Sequence, residues 1–454
     1  MSPMFRALSI RNYRLWASGA IVSNTGTWMQ RVAQDWLVLT QLTDNSGVAV
    51  GITTALQFAP VLLLAPWAGA ATDRFDRRKV LIATQIASAV LGLTLGLLVV
   101  TGLAELWMVY ALATGLGIVA AVDGPARQAF VSELVPVDYL PNAVGLNSAS
   151  FNAGRLLGPG IAGLLINWFG TGPVFLINGV SFIAVVFSLT RMNRAELGHQ
   201  QRPARGNRSA RAGLAYVRSR PEIALIMGIV GLVAMLGLNS QITIALMARL
   251  TFDKGAGEYG ILGSVMAIGS LGGALLAARR EHPTVKLVIG AAAAFGATSI
   301  LSALMPTYWS FGLMLIPVGL FALTMLTAAN ATIQLATEPA MRGRVMALYM
   351  AILMGGTPVG SPIIGWIGEE FGPRWTVLIG GIGTLLVALA AMALVSRSPV
   401  LQEAVARADR GPALTVTATT ERAKTTGTPE SEAVARATAS RAETTTEVTG
   451  KSAV

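Results

Sequence analysis

The chain has 454 residues, 53% of them hydrophobic and only 13% charged, with a mean hydropathy of +0.60 and a net charge of +11. Soluble domains carry about 25% charged residues, so this balance excludes an ordinary water-soluble fold and points to lipid as the solvent. The lack of cysteine excludes a disulfide framework and a thiolate metal site, and the scatter of the basic residues in short clusters between apolar runs argues against a nucleic-acid footprint.

The opening MSPMFRALSIRNYRLW has no small-residue cleavage site behind a short apolar core, so no removable signal peptide is expected. Crossing the hydrocarbon takes about 20 mostly apolar residues as a helix. In chain order such runs are predicted near 15–40, 47–71, 79–101, 106–126, 142–166 and 172–191, then near 223–248, 258–278, 285–304, 307–331, 345–367 and 373–395. The expected fold class is therefore an all-α membrane protein with twelve transmembrane helices. Residues 1–14 form an N-terminal segment, 15–191 a first six-helix bundle, 192–222 a basic linker and 223–395 a second six-helix bundle. From 396 to 454 the chain becomes rich in Thr, Ala, Glu and Arg, with too little apolar surface to fold alone, and is expected to be disordered. If the N-terminus lies in the cytoplasm, 21 Lys and Arg fall on that side before the tail and three on the other. That bias predicts a multi-pass protein of the cell membrane with both termini and the linker cytoplasmic.

The two halves carry a repeat. At an offset of 202, GPGIAGLLINWFG (158–170) aligns with GSPIIGWIGEEFG (360–372), matching Gly158 with Gly360, Gly163 with Gly365 and Gly170 with Gly372. The equal spacing, in the fifth span of each half, favours duplication into two pseudo-symmetric halves. Parallel repeats of this kind are a mark of secondary transporters.

Between spans 2 and 3 the charge-averse chain places GAATDRFDRRKVL (69–81). This stretch resembles the loop 2–3 signature of the major facilitator superfamily, with Gly69, Asp73, Arg74, Arg77 and Arg78 on the pattern and Asp76 where the family usually has glycine. The resemblance implies a cytoplasmic gating loop that latches the halves, with an acid on span 4, here Asp123, pairing with its arginine. The plain alternative is that the loop only records topology. In span 5, GLNSASFNAGRLLGPGIAG (145–163) is similar to the motif of the superfamily's exporters: Gly145, Gly154, Gly158, Pro159 and Gly163 match, and Ala162 departs from it. Ordinary small-residue packing is the competing account. GPARQAFVSELVP (124–136) further resembles the enterobactin-exporter-like and multidrug-exporter subgroup. The resemblance spans roughly residues 5–395 and implies the major facilitator fold, secondary transport and a monomer.

Charge inside the spans marks function by default. Arg31, Asp35 and Arg155 are the charged residues of the predicted interiors. Arg31 and Asp35 are one helical turn apart and can pair; Gln34 lies beside them. Two readings stay open: a structural ion pair, or Asp35 as the site of proton exchange. Arg155 could instead contact an anionic substrate. The second half offers only neutral candidates, Asn239, Gln241, Asn330 and Gln334. Methionines such as Met325 and Met350 suit either an adaptable pocket or plain core.

No catalytic residues, cofactor or metal are expected: His199 and His282 sit in loops, without ligand spacing. The reading that fits is a secondary active transporter, an exporter of a drug-like compound or siderophore coupled to protons. An importer or facilitative carrier is the alternative, and a transporter-like sensor a remote one. Its partners are a small-molecule substrate, protons and the bilayer, with no nucleic acid.

Overall fold

A backbone in lipid must satisfy its polar groups internally, which leaves these apolar runs one option, the helix. A computed structural model describes residues 3–198, 210–280 and 283–409. His199, His282, most of the linker and the tail beyond 409 lie outside the described residues, as does the side chain of Asp73. The first helices are α1 (Arg11–Leu37), α2 (Gly47–Arg74), α3 (Arg77–Val100), α4 (Leu106–Leu134), α5 (Leu140–Phe169) and α6 (Thr171–Thr190). A short α7 (Ala210–Ser219) follows, then α8 (Pro221–Leu236), α9 (Ser240–Leu246), α10 (Ala256–Ala278), α11 (Val285–Ala303), α12 (Tyr308–Ala336), α13 (Pro339–Glu370) and α14 (Pro373–Arg397). No strand occurs among the described residues.

Ten of these segments are long and apolar enough to cross a membrane, with α8 and α9 counted as one. The twelve expected include α1 and α5, which fall short by composition while packing on each other along the bundle. Their polar residues face protein: Gln30 of α1 accepts a hydrogen bond from Asn178 of α6 at 2.5 Å, and Asn24 donates to Ser150 of α5 at 3.1 Å. Glycines set the spacing. A Cβ on Gly26 would meet Asn178 and Ser181, and one on Gly154 would meet the backbone of Asn24 and Thr25.

Several helices outrun the apolar runs, because helix continues into the headgroup layer where hydropathy already fails. Thus α4 extends to Leu134 and α12 to Ala336, and α13 begins at Pro339. Span 7, expected whole, is broken between α8 and α9 at Gly237–Asn239. Asn239 supplies the cause: its Nδ2 donates to the Met235 carbonyl at 2.8 Å, the local bonding by which asparagine competes with helix. The tail also departs from expectation. Residues 399–409 are helical, bury Val405, and place the Asp409 carboxylate 2.7 Å from the amide of Val285 at the start of α11.

The repeat is written in the backbone. α1 and α9 both run into a π turn, at Val38–Leu42 and Met247–Thr251, followed by a positive φ at Asn45 and Asp253. Gly170 and Gly372 hold positive φ at the aligned starts of α6 and α14. Trp107, Trp168, Trp309, Trp366 and Trp375 are exposed near helix ends on the side away from the N-terminus, the position of an aromatic interfacial belt.

Candidate functional site

Where α1–α6 meet α8–α14, α2 lies against α13 and α5 against α10. Both contacts are glycine zippers related by the repeat. A Cβ on Gly163 would sit 2.6 Å from the Ala256 carbonyl, and one on Gly365 would sit 2.2 Å from that of Gly47. One turn along, Gly260 faces the Pro159 carbonyl at 2.2 Å and Gly51 faces that of Ser361 at 2.5 Å. Backbones this close admit no side chain.

Pro159 cannot donate to the helix ladder, and α10 enters the ladder at the adjacent rung, between Gly160 and Leu156. Ser264 accepts from the Gly160 amide at 3.1 Å and donates to the Leu156 carbonyl at 2.7 Å, so its hydroxyl stands inside the α5 ladder. On the other zipper Ser361 donates to the Gly51 carbonyl at 3.1 Å. At the helix ends Glu369 of α13 accepts from the Val48 amide at 3.0 Å and from the Ser46 hydroxyl, favourable charge placement at the N-terminus of α2. The hydrogen bonds joining described residues of the two helix sets all lie in the half of the bundle away from the N-terminus. Toward the other end Gly145 and Gly343 have no atom within 4 Å of a would-be Cβ.

Asp35 sits at this closure. Its side chain is 5% exposed, and its Oδ2 accepts from the Tyr259 hydroxyl of α10 at 3.2 Å. Tyr259 in turn stacks on Trp36, with centroids 5.8 Å apart and planes 21° apart. The pairing expected between Arg31 and Asp35 is not formed: no Arg31 nitrogen lies within 4.0 Å of the carboxylate among the described ion pairs. One helical turn aligns the two Cβ atoms, but the guanidinium turns to rings instead. It lies 4.7 Å from the Trp28 centroid and 5.2 Å from that of Phe58. Arg155 reaches the same Trp28 from α5, at 5.7 Å. Gln34 is buried beside them with its Oε1 unpartnered.

The neutral candidates of the second half divide. Asn239 is buried at the helix break with Oδ1 unpartnered, and Gln241 is half-buried two residues on. Asn330 and Gln334 bond to each other on α12, away from Asp35. Met325 is fully buried core, whereas Met350 is exposed.

In the loop 2–3 region Asp76 caps α3 by accepting from the Lys79 amide at 3.2 Å. Arg77 pairs with Glu133 at 2.6 Å, not with Asp123. Asp123 is engaged by Arg127 at 3.0 Å and by Thr84 and Gln85 at 2.7 Å. The reason is reach: Arg127 is one turn away on the same helix, while Glu133 stands at the end of α4 beside the loop. Arg78 donates to the Leu189 and Thr190 carbonyls, closing the end of α6. Arg74 is exposed, and Gly69 has no close neighbour. Of the span 5 motif residues, Gly154 and Gly158 admit α1, Pro159 and Gly163 lie against α10, and a Cβ on Gly145 would meet nothing within 4 Å.

Tyr259, Ser264 and Glu369 escaped sequence reasoning. A signal for one of them, Ser264, was present, since Ala256, Gly260 and Ser264 recur every four residues, the small-residue spacing of packed membrane helices.

A family model described as transmembrane secretion effector matches residues 2–425. The staphyloferrin A transporter of Staphylococcus aureus is 26% identical over 372 residues, covering 80% of this chain and 91% of that protein. Macrolide efflux protein A of Streptococcus pyogenes is 23% identical, covering 84% and 94%, and the enterobactin exporter of Citrobacter koseri 24% identical, covering 79% and 85%. Among solved structures, a bacterial homologue of the human lysosomal transporter Spinster, inward-facing and occupied, superposes with a TM-score of 0.68 at 17% identity over 86% of this chain and 98% of that one. A POT family transporter superposes with a TM-score of 0.70 at 12% identity over 86% and 96%.

Proposed function

Because the chain belongs to the transmembrane secretion effector family of the major facilitator superfamily, we propose that it is a proton-coupled exporter working by alternating access in the cell membrane, with both termini cytoplasmic. The excess of 21 basic residues to three supports that orientation. The zippered half of the bundle is then the outer one, and the arrangement is inward-facing. Relatives named for enterobactin export and macrolide efflux support the direction.

The observation that carries the reading is the bond from Tyr259 to Asp35. An antiporter needs an acid that water reaches alternately from each side, and Asp35 is the acid of the span interiors. Tyr259 belongs to the opposite half, so the bond exists only while the outer end is shut. Burying an ionised carboxylate is costly; a proton taken up from outside removes that cost and lets the end close. Substrate entering from the cytoplasm then disturbs the closure and releases the proton inward.

The test is accumulation of a panel of macrolides and iron chelators in an exporter-deficient host. The intact chain should lower the accumulation of at least one compound, and a protonophore should reverse the effect. Asp35→Asn should lose uphill efflux while keeping downhill exchange in proteoliposomes. Full gradient-driven efflux by Asp35→Asn would sink the assignment.

A further inference from the structure

The two arginines of the bundle interior have no carboxylate within 4.0 Å among the described residues. Arg31 and Arg155 come from different helices, α1 and α5, and converge on the ring of Trp28. Both are half-buried, and neither has a carboxylate within 4.0 Å or a hydrogen-bond partner among the described residues. The Nε of Arg31 is closed to solvent and unpartnered. Asp35, the one nearby acid, is turned toward Tyr259. Structural arginines elsewhere in this chain are used differently: Arg77 holds Glu133, Arg78 caps α6, and Arg374 donates to the Ala303 and Met305 carbonyls. A pair of guanidiniums left without such partners, in a setting where unpaired charge is expensive, calls for an anion from outside the chain.

We propose that the transported substrate is an organic anion carrying a carboxylate, held between Arg31 and Arg155 with its apolar body against Trp28, Phe58 and Phe151. The planar guanidinium matches a carboxylate two bonds at a time, which an ammonium does not. Phe151 supports the apolar side, since it stands edge-on to Trp28 at 5.8 Å and is 48% exposed. Position supports it too. Arg31 lies one turn before Asp35 on α1, on the side of the closure away from the zippers, where a ligand entering the open end arrives first. This inference rests on the transport reading and narrows it, favouring polycarboxylate or aromatic carboxylate cargo over the cationic drugs that many exporters carry.

The experiment is calorimetric titration of the purified full-length chain with benzoate, citrate, benzamide, chloride and tetraphenylphosphonium. A carboxylate should bind, at least tenfold tighter than benzamide and without displacement by equimolar chloride. Arg31→Gln and Arg155→Gln should each weaken carboxylate binding about tenfold or more, and Arg31→Lys should recover only part, because it restores charge without the fork. Binding of tetraphenylphosphonium should not fall in either variant. If the glutamine variants fail to fold, the intact chain still decides: equal affinity for benzoate and benzamide, or preference for the phosphonium, overturns the proposal. Equivalent binding of chloride overturns it as well, by making the site one for inorganic anions. Carboxylate binding that requires both arginines, in a chain that moves no compound against a gradient, would leave this inference standing and remove the exporter reading. Gradient-driven transport of a cation indifferent to both arginines would do the reverse.

Discussion

At the scale of single residues, the contact between Tyr259 and Asp35 is where chemistry and conformation meet. Tyr259→Phe keeps the ring that stacks on Trp36 and removes only the donor. A hydrogen bond of this kind is worth about 0.5–1.5 kcal/mol net, so the balance between closed and open outer ends should move roughly 2- to 13-fold toward open. The measurement is labelling by an impermeant thiol reagent of a cysteine placed at Gln34, in this chain that has none of its own. Unchanged labelling would mean that the hydroxyl does not hold the gate. Glu133→Gln tests the other end. It removes the charge that holds Arg77 at 2.6 Å, in a region only partly buried. Because such a pair contributes about 0–1 kcal/mol, abundance in the membrane should stay nearly constant while transport falls. Loss of abundance equal to the loss of transport would make the pair structural. Sequence singled out Arg31 and Asp35, since charges inside spans stand out. It did not show that they form no direct ion pair, because partner choice depends on where α10 and Phe58 lie.

At the scale of elements, the zippers between α5 and α10 and between α2 and α13 join the two helix sets at one end, and on the proposed mechanism they close it. Gly260→Val places a side chain against the Pro159 carbonyl, 2.2 Å from where its Cβ would stand. Overpacking costs about 1–3 kcal/mol, which would disfavour the closed end by roughly 5- to 160-fold. The same labelling at position 34 should rise, whereas Gly145→Val, at a glycine with open surroundings, should leave it unchanged. Equal behaviour of the two variants would refute the zipper as a gate. The break between α8 and α9 was hidden for a different reason. Asn239, Ser240 and Gln241 interrupt the run only briefly, so the segment still averages as one span, and the backbone bonds and the bond from Asn239 to Met235 show that the helix stops there.

At the scale of the whole molecule, the proposed orientation places the zippered end outside. Asp44 and Ser219 are both exposed, near opposite ends of the bundle. An impermeant reagent applied to intact cells should label Asp44→Cys and spare Ser219→Cys, with both labelled after permeabilisation. The reverse pattern would invert the orientation and make the observed state outward-facing. The same inversion would reassign Glu369 and the zippers to the cytoplasmic gate, so this measurement decides how every contact between the halves is read.

The sequence by itself determined the membrane class, the positions of nearly all the long helices, the fifth-span repeat and the few charges worth attention. These are local quantities: an apolar run must become helix in lipid, and a charge within it is visible without knowing its neighbours. Tertiary structure alone decided at which end the described hydrogen bonds between the halves lie, that Asp35 bonds to Tyr259 rather than to Arg31, that Glu133 rather than Asp123 holds Arg77, and that the two interior arginines have no carboxylate within 4.0 Å among the described residues. Such pairings join residues up to 224 positions apart. Lipid, being as apolar as the helix faces, gives hydropathy no means to choose between neighbours; close packing of small residues and a few hydrogen bonds choose instead.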